Sequence, residues 1–367
     1  MQLSELTTLR VGGPAARMIA PENEAALLSA TVDVWASGDD WLILGGGSNI
    51  VVSDDGFPGT VIRVVTRGIE TLADDGATVR LRVQAGEPWD ALVVFAVEHG
   101  LAGIEALSGI PGSSGAAPIQ NIGAYGQELD GHLVAIDFLD YFTGELTRIE
   151  AADLELDYRT SAIKSGRLGL VVAIEVELVR TADALSEPIE YSQLAMALGR
   201  SVGDRVPLAD VRRAVLDLRA SKGMVLDAAD PDSVSAGSFF TNPIVSERFA
   251  AALPMDAPRW PVSPERSEPI VRPLDSFNPA DVPVRAATVR RVKLSAAWLI
   301  ERGGISRGFR LPGSRAAVSS KHTLAIINAG GATATEIVEL ARYIQSRVLS
   351  TFGVILQPEP VIVRIPD

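Results

Sequence analysis

The 367-residue sequence contains no cysteine. That absence excludes thiol nucleophiles, disulfide bridges and every cysteine-ligated zinc or iron–sulfur site. Histidine is almost as scarce: His99, His132 and His322 are the only three, and no two stand i, i+4 apart. A metal site is not expected. A Ser–His–Asp hydrolase lacks an obvious base, and no Gly-x-Ser-x-Gly elbow is present. Long apolar runs are missing as well. None approaches the roughly 20 residues that span a bilayer, and the N-terminus has no basic stretch followed by an apolar one. A cytoplasmic protein with no signal peptide and no membrane span is expected. Positive charge is in deficit, with 33 Lys and Arg against 46 Asp and Glu and a formal net charge of −13. Nucleic acid is therefore excluded as a main partner, whereas a small anionic ligand is compatible with local clusters of Arg and Lys. An enzyme of this composition is expected to rely on a bound cofactor for redox or electronic work.

What is present is glycine, concentrated in one place. Residues 109–126 hold five glycines and two prolines among Ser, Gln and Asn, with no charge at all. Gly and Pro are the poorest helix formers, so an ordinary helix is excluded. Ile110, Ile119, Ile122 and Tyr125 make the segment too apolar for a solvated linker. An ordered, tightly wound loop remains, one whose backbone approaches a partner closely. Free N–H groups, amide side chains and no fixed charge suit a large polar ligand carrying phosphate.

The length favours two or three domains, and 47% hydrophobic with 22% charged residues is the composition of a folded chain. Helical spacing predicts a helix over 22–35, followed by a buried strand at 41–44 that runs into Gly45, Gly46, Gly47, Ser48 and Asn49. Strands are expected at 60–65, 79–85, 134–142 and 170–179, and a helix at 89–99 between Pro88 and Gly100. The second half opens with an amphipathic helix at 207–222. Prolines then recur from Pro254 to Pro283, a density that predicts an extended surface excursion. A helix over 293–302, a strand at 323–328, a helix capped by Thr333 and Glu336 and a last strand over 354–365 complete the reading.

Four local patterns carry possible chemistry. The turn Gly45–Asn49 follows a strand and can form an anion-binding nest, but it matches neither the dinucleotide fingerprint nor a Walker loop. Alone it is as readily an empty turn. Arg159 beside Tyr158 is in isolation most often a surface pair; its planar fork would also bind a carboxylate in bidentate fashion. Ser238, followed by Phe239 and Phe240, is either a turn residue or a hydroxyl whose direction is fixed by packed aromatics. Glu359 between Pro358 and Pro360 is either a solvent-facing edge residue or a carboxylate held with little backbone freedom. Lys222, Lys293 and Lys321 read first as surface lysines, and Tyr191 as a packing residue.

In this order the pieces resemble the bacterial UDP-N-acetylenolpyruvoylglucosamine reductases (MurB). The likeness covers essentially the whole chain: Thr8 with Gly12 and Gly13, Leu44–Asn49, Ile110–Gly115, Pro118–Gly126, Tyr158–Arg159, Gly237–Phe240 and Pro358–Glu359. It implies an α+β protein with an FAD-binding domain of the vanillyl-alcohol-oxidase (PCMH) type over 1–182, in subdomains of roughly 1–66 and 67–182. A connecting segment over 183–221 and an α+β substrate domain over 222–367 would follow. FAD, held non-covalently, would be reduced by NADPH and would deliver hydride to UDP-N-acetylenolpyruvoylglucosamine, giving UDP-N-acetylmuramate for peptidoglycan.

The resemblance makes Ser238 the proton donor and Arg159 and Glu359 its catalytic partners, with Glu359 protonated. It implies cofactor contacts from Gly45, Gly46, Gly47, Ser48, Asn49, Pro111, Gly112, Ser113, Gly115, Ile119, Gln120, Asn121, Gly123 and Tyr125. Substrate contacts would come from Tyr191, Lys222, Asn242 and Lys293. Tyr191 between the domains points to the long-loop class, and a monomer is expected. Two departures stand out: Thr241 occupies a position where relatives often carry Lys, and the Pro-rich excursion is long for the family. A flavin oxidase of the same cofactor fold, and a nucleotide-sugar binder without catalysis, are the alternatives. The absence of Cys speaks against covalent flavin in the first, and the joint presence of Arg159, Ser238 and Glu359 speaks against the second.

Overall fold

The chain is described by a computed structural model covering residues 1–262 and 290–365. Near the N-terminus a parallel three-stranded sheet places Phe57–Arg63 between Ala15–Ile19 and Trp41–Leu44. Parallel strands need a crossover, and the helix Glu24–Ala36 supplies the one from Ala15–Ile19 to Trp41–Leu44, the two outer strands. Asn23 caps that helix by accepting from the Ala26 amide at 2.9 Å. Leu27, Val34, Ile62 and Val172 join helix, sheet and the following layer in one buried cluster.

That following layer is an antiparallel sheet in the order Leu146–Glu150, Leu133–Asp140, Gly169–Arg180, Thr78–Gln84 and Ile69–Asp74. Thr78–Gln84 alternates Val79, Leu81 and Val83 inward with Arg80 and Arg82 outward, the period of a sheet with one buried face. The helix Trp89–Glu98 covers this face through Trp89, Leu92, Val93 and Ala96. The connecting helices Ser192–Ala197 and Leu208–Ala220 bury a smaller cluster around Ile189, Leu194, Val211 and Val215.

Among the described residues the C-terminal part contains two antiparallel three-stranded sheets. One places Ala325–Asn328 between Ser235–Ser238 and Ala316–Val318; the other places Arg291–Leu294 between Ile244–Ser246 and Arg259–Val262. The 19-residue helix Ala334–Phe352 packs Ile337, Leu340, Ala341 and Ile344 against Phe239 and Phe240. Its start is the expected capping box of Thr333 and Glu336. Leu9, Val11 and Val51 also enter this core, so the first fifty residues contribute to both halves.

Several boundaries differ from the sequence reading, each for a local reason. The helix expected from Lys293 starts at Ala296, where Ser295 caps it at 3.1 Å from the Trp298 amide; Arg291–Leu294 alternates with period two and forms a central strand. The long last strand shrinks to Val361–Val363, because Pro358 and Pro360 interrupt pairing before it. Arg259–Val262, inside the Pro-rich stretch, is an edge strand; Pro264 to Pro283 lie outside the described residues. The glycine tract 109–126 contains a 3₁₀ helix, Ser114–Gln120, and half of a two-residue hairpin, Gly123–Ala124 with Gln127–Glu128.

Candidate active site

Two glycine segments face each other across a narrow gap. A Cβ on Gly46 would lie 2.6 Å from the Cα of Gly112 and so displace backbone, while Gly112 holds φ +123°, a conformation in which a side chain is strained. Ser48 Oγ donates to the Pro111 carbonyl at 3.0 Å and Asn49 Nδ2 to Gln120 Oε1 at 2.6 Å, which locks one segment to the other. The cleft they wall has a volume of about 260 Å³. Gly45–Asn49 form one side and Pro111, Gly112, Ser113, Gly115, Ile119 and Gln120 the other, over an apolar floor of Leu44, Val64, Trp89 and Leu170. Among the described residues the amides of Gly46, Gly47 and Ser48 donate to no protein acceptor. An apolar slot edged with free N–H groups fits a flat aromatic ring system joined to phosphates. These features fit FAD.

Two expected cofactor contacts stand elsewhere. Asn121 is fully buried and spends its side chain on the protein: Oδ1 accepts from the Asp130 amide at 3.1 Å and Nδ2 donates to the Asp157 carbonyl at 3.4 Å. Its backbone is left-handed, φ 43°, at the end of the 3₁₀ helix. Tyr125 packs edge-on against Tyr191, ring centroids 5.8 Å apart, with Lys222 Nζ 5.4 Å from its ring. Neither residue lines the cleft. Gly123 stands at the border, in the adjoining pocket rather than the cleft itself.

That adjoining pocket, about 240 Å³, shares Ser48, Asn49, Ile110, Pro111, Gln120 and Ile122 with the cleft. Arg159, Ser238 and Glu359 line it, separated in sequence by up to 200 residues and brought together by three elements. Arg159 sits in a tight turn closed by the Asp157–Thr160 bridge, and Ser161 Oγ ties that turn to the glycine tract through the Ile119 carbonyl at 2.6 Å. Its guanidinium donates to the Asn121 carbonyl at 2.9 Å and to the Gly123 carbonyl, and its Nε lies 3.6 Å from Glu359 Oε1.

Glu359 arrives from the C-terminus. Val361–Val363 pairs in parallel with Ile50–Val52, Glu359 N donates to the Phe239 carbonyl at 2.9 Å, and Asn49 Nδ2 donates to the Glu359 carbonyl at 3.2 Å. One residue's backbone thus touches both the Gly45–Asn49 turn and the chain segment beside Ser238. Burial pushes the Glu359 carboxyl above the usual carboxylate range, against the pull of Arg159 and Lys164.

Ser238 ends the strand Ser235–Ser238, whose next residue, Phe239, is fully buried and donates to the Leu324 carbonyl at 2.7 Å. Asn242 lines the same pocket; its Oδ1 accepts from the Ala296 amide at 2.9 Å, while its amide faces Tyr158 Oη at 3.3 Å. Lys293 Nζ stacks over the Tyr158 ring at 4.6 Å. Lys222 and Tyr191 meet at Tyr125, and Lys222 Nζ donates to Gln193 Oε1 at 2.9 Å. Tyr191, at the start of the helix Ser192–Ala197, is 45% exposed.

Two residues escaped the sequence reading. Arg219 is 6% exposed and lines the pocket, its guanidinium fixed by the carbonyls of Gly109 at 3.2 Å and Met224 at 3.0 Å. Nothing local separates it from Arg212 and Arg213 on the same helix. His322 lies 3.4 Å from Ser238 Oγ; its only signal was the rarity of histidine.

The chain is similar to known proteins over nearly its whole length. Residues 230–363 match the family described as the C-terminal domain of UDP-N-acetylenolpyruvoylglucosamine reductase, and residues 15–150 match an FAD binding domain. A UDP-N-acetylenolpyruvoylglucosamine reductase of Leifsonia xyli is 58% identical over 370 aligned residues, covering 99% of this chain and 98% of that protein. One from Salinispora arenicola is 45% identical, with 99% and 94% covered. The crystal structure of the corresponding reductase (MurB) from Thermus caldophilus superposes with a TM-score of 0.61 at 26% identity, covering 99% of this chain and 97% of that one.

Proposed function

The chain belongs to the UDP-N-acetylenolpyruvoylglucosamine reductase family, and from that premise we propose that Arg159, Ser238 and Glu359 carry its chemistry. The reaction is the NADPH-dependent reduction of UDP-N-acetylenolpyruvoylglucosamine to UDP-N-acetylmuramate, a step of peptidoglycan precursor synthesis, with FAD as redox cofactor. FAD, when bound, would supply the hydride chemistry that links NADPH to the enolpyruvyl double bond. Its holders would be the amides of Gly46, Gly47 and Ser48, the backbone of Pro111–Gly115, and Asn49 with Gln120.

The protein's own groups then have distinct tasks. Arg159 binds the substrate carboxylate and stabilises the charge that builds on it as the double bond accepts hydride. Glu359, protonated in its buried position, donates a hydrogen bond to the same carboxylate; an ionised Glu there would repel it. Ser238 gives its hydroxyl proton to the carbon beside the carboxylate. A serine hydroxyl is a weak acid, so it acts only on the strongly basic enolate-like species that these charges hold. Asn242, Lys293, Lys222 and Tyr191 would take the nucleotide end, in a chain whose overall charge would otherwise oppose an anionic substrate. We read Tyr191 as the mark of the family's long-loop class.

The observation that carries this reading is the shared boundary: Ser48, Asn49 and Gln120 border both the pocket holding Arg159, Ser238 and Glu359 and the glycine-walled cleft. The test is anaerobic. FAD-loaded protein reduced by NADPH should be reoxidised on adding the enolpyruvyl nucleotide, with one equivalent of UDP-N-acetylmuramate formed. A reduced flavin indifferent to the nucleotide but reoxidised rapidly by oxygen would favour an oxidase instead.

A further inference from the structure

His322 belongs to no motif and touches none of the glycine segments, yet its Nε2 lies 3.4 Å from Ser238 Oγ. It sits in the turn between the strands Ala316–Val318 and Ala325–Asn328. That turn is built with care around one carboxylate. Asp232, itself buried, accepts from Ser319 Oγ at 2.6 Å, from the Ser320 amide at 2.7 Å and from Ser320 Oγ at 2.8 Å. Ser319 Oγ in turn accepts from the His322 amide at 3.1 Å, and the His322 carbonyl accepts from the Ala325 amide at 3.0 Å. The Phe239–Leu324 backbone bond ties the strand of Ser238 to the same turn. The two side chains therefore hold their separation through backbone on both sides.

We propose that His322 is a positioning residue for Ser238: its Nε2–H donates to Oγ, turns the serine's own proton toward the substrate carbon, and stabilises the oxyanion left behind. The proposal rests on the reading of Ser238 as proton donor. In the step itself the Oγ–H bond breaks and a C–H bond forms, leaving the negative charge on Oγ; solvent water returns the proton once product has left. His322 gives up no proton.

The surroundings agree with that role. Burial first, then the charges of Lys222, Arg307 and Arg219, hold the imidazole pKa down at about 4, so it is neutral at working pH. A neutral imidazole has one donor and one acceptor nitrogen. With Nε2 unprotonated the Oγ–H would donate to the ring instead of the substrate carbon, so the proposed role requires the tautomer with the N–H on Nε2. The same cations that disfavour an imidazolium favour an alkoxide at Oγ, so one electrostatic field serves both groups.

The test uses FAD-loaded protein, reduced anaerobically, with reoxidation followed at increasing enolpyruvyl nucleotide. His322→Leu should lower the limiting reoxidation rate about 30- to 100-fold, somewhat less than loss of a fully formed oxyanion donor, with the apparent Kd for nucleotide changed less than about threefold. His322→Gln, which keeps an N–H donor, should recover most of that loss. The solvent deuterium isotope effect on reoxidation should rise in His322→Leu as proton transfer becomes limiting. Asp232→Asn, which loosens the turn and leaves the imidazole in place, should fall in the same direction by a smaller factor. A folded His322→Leu protein with native limiting rate, or one impaired only through Kd, overturns the proposal. If Ser238→Ala also reoxidises at the native rate, the underlying reading of Ser238 has failed instead.

Discussion

Arg159 holds φ 56°, a left-handed conformation that costs a non-glycine residue on the order of 1 kcal/mol or more. The Asp157–Thr160 bridge, the two carbonyls that receive its guanidinium and Lys164 Nζ, which donates to its own carbonyl at 3.0 Å, all hold it there. The strain aims a planar fork into the pocket beside Glu359. The raised pKa of Glu359 sets a pH dependence with a definite sign. On the proposed role, in which the protonated form binds the substrate carboxylate, kcat/KM should fall as pH rises through the Glu359 pKa. Glu359→Gln keeps a neutral donor and should flatten that limb, at a cost below about tenfold at neutral pH. Glu359→Ala removes the donor and should cost roughly 10- to 100-fold, the worth of one hydrogen bond to a charged group. A pH–rate series on the three proteins reads this out, and an unchanged limb in the Gln variant would assign it to another group.

At the scale of elements, legibility followed the range of the forces. Glycine and proline act within a few residues, so the two glycine segments and the capping box at Thr333 and Glu336 were visible in the sequence. Ser295 is a cap of the same kind, but the period-two run Arg291–Leu294 before it was absorbed into the helix. Asn121 and Tyr125 shared a tract with true cleft residues, and only the turn after the 3₁₀ helix separates them from it. The placement of Glu359 depends on parallel pairing between residues more than 300 apart, which no local pattern encodes. The same is true of the docking of the helix Leu208–Ala220. There Arg212 grips Asp90 with two bonds of 2.7 and 2.8 Å, and Asp90 also accepts from the Gly109 amide at 2.6 Å. These bonds hold the Asp90 carboxyl below its usual range despite burial, which alone would raise it. Asp90→Ala should destabilise the FAD-free protein by about 1–3 kcal/mol in urea titrations and weaken FAD binding through the freed Gly109. Loss of stability with unaltered FAD affinity would separate the helix from the glycine tract.

For the whole molecule, the chain crosses between its halves twice near the site. Leu9, Val11 and Val51 enter the C-terminal core, and Val361–Val363 returns to pair beside the glycine turn. The glycine-walled cleft and the pocket of Arg159, Ser238 and Glu359 consequently adjoin through shared lining residues, and residues from both ends of the sequence line them. On the proposed roles the two spaces divide the reaction: the cleft serves electron entry, and Ser238 serves only the proton that completes the product. The measurement that tests this division most directly is stopped-flow of the two half-reactions in Ser238→Ala. Flavin reduction by NADPH should stay within a few-fold of the native rate, while reoxidation by the enolpyruvyl nucleotide slows by several orders of magnitude. Equal losses in both half-reactions would contradict the account and make Ser238 a structural residue.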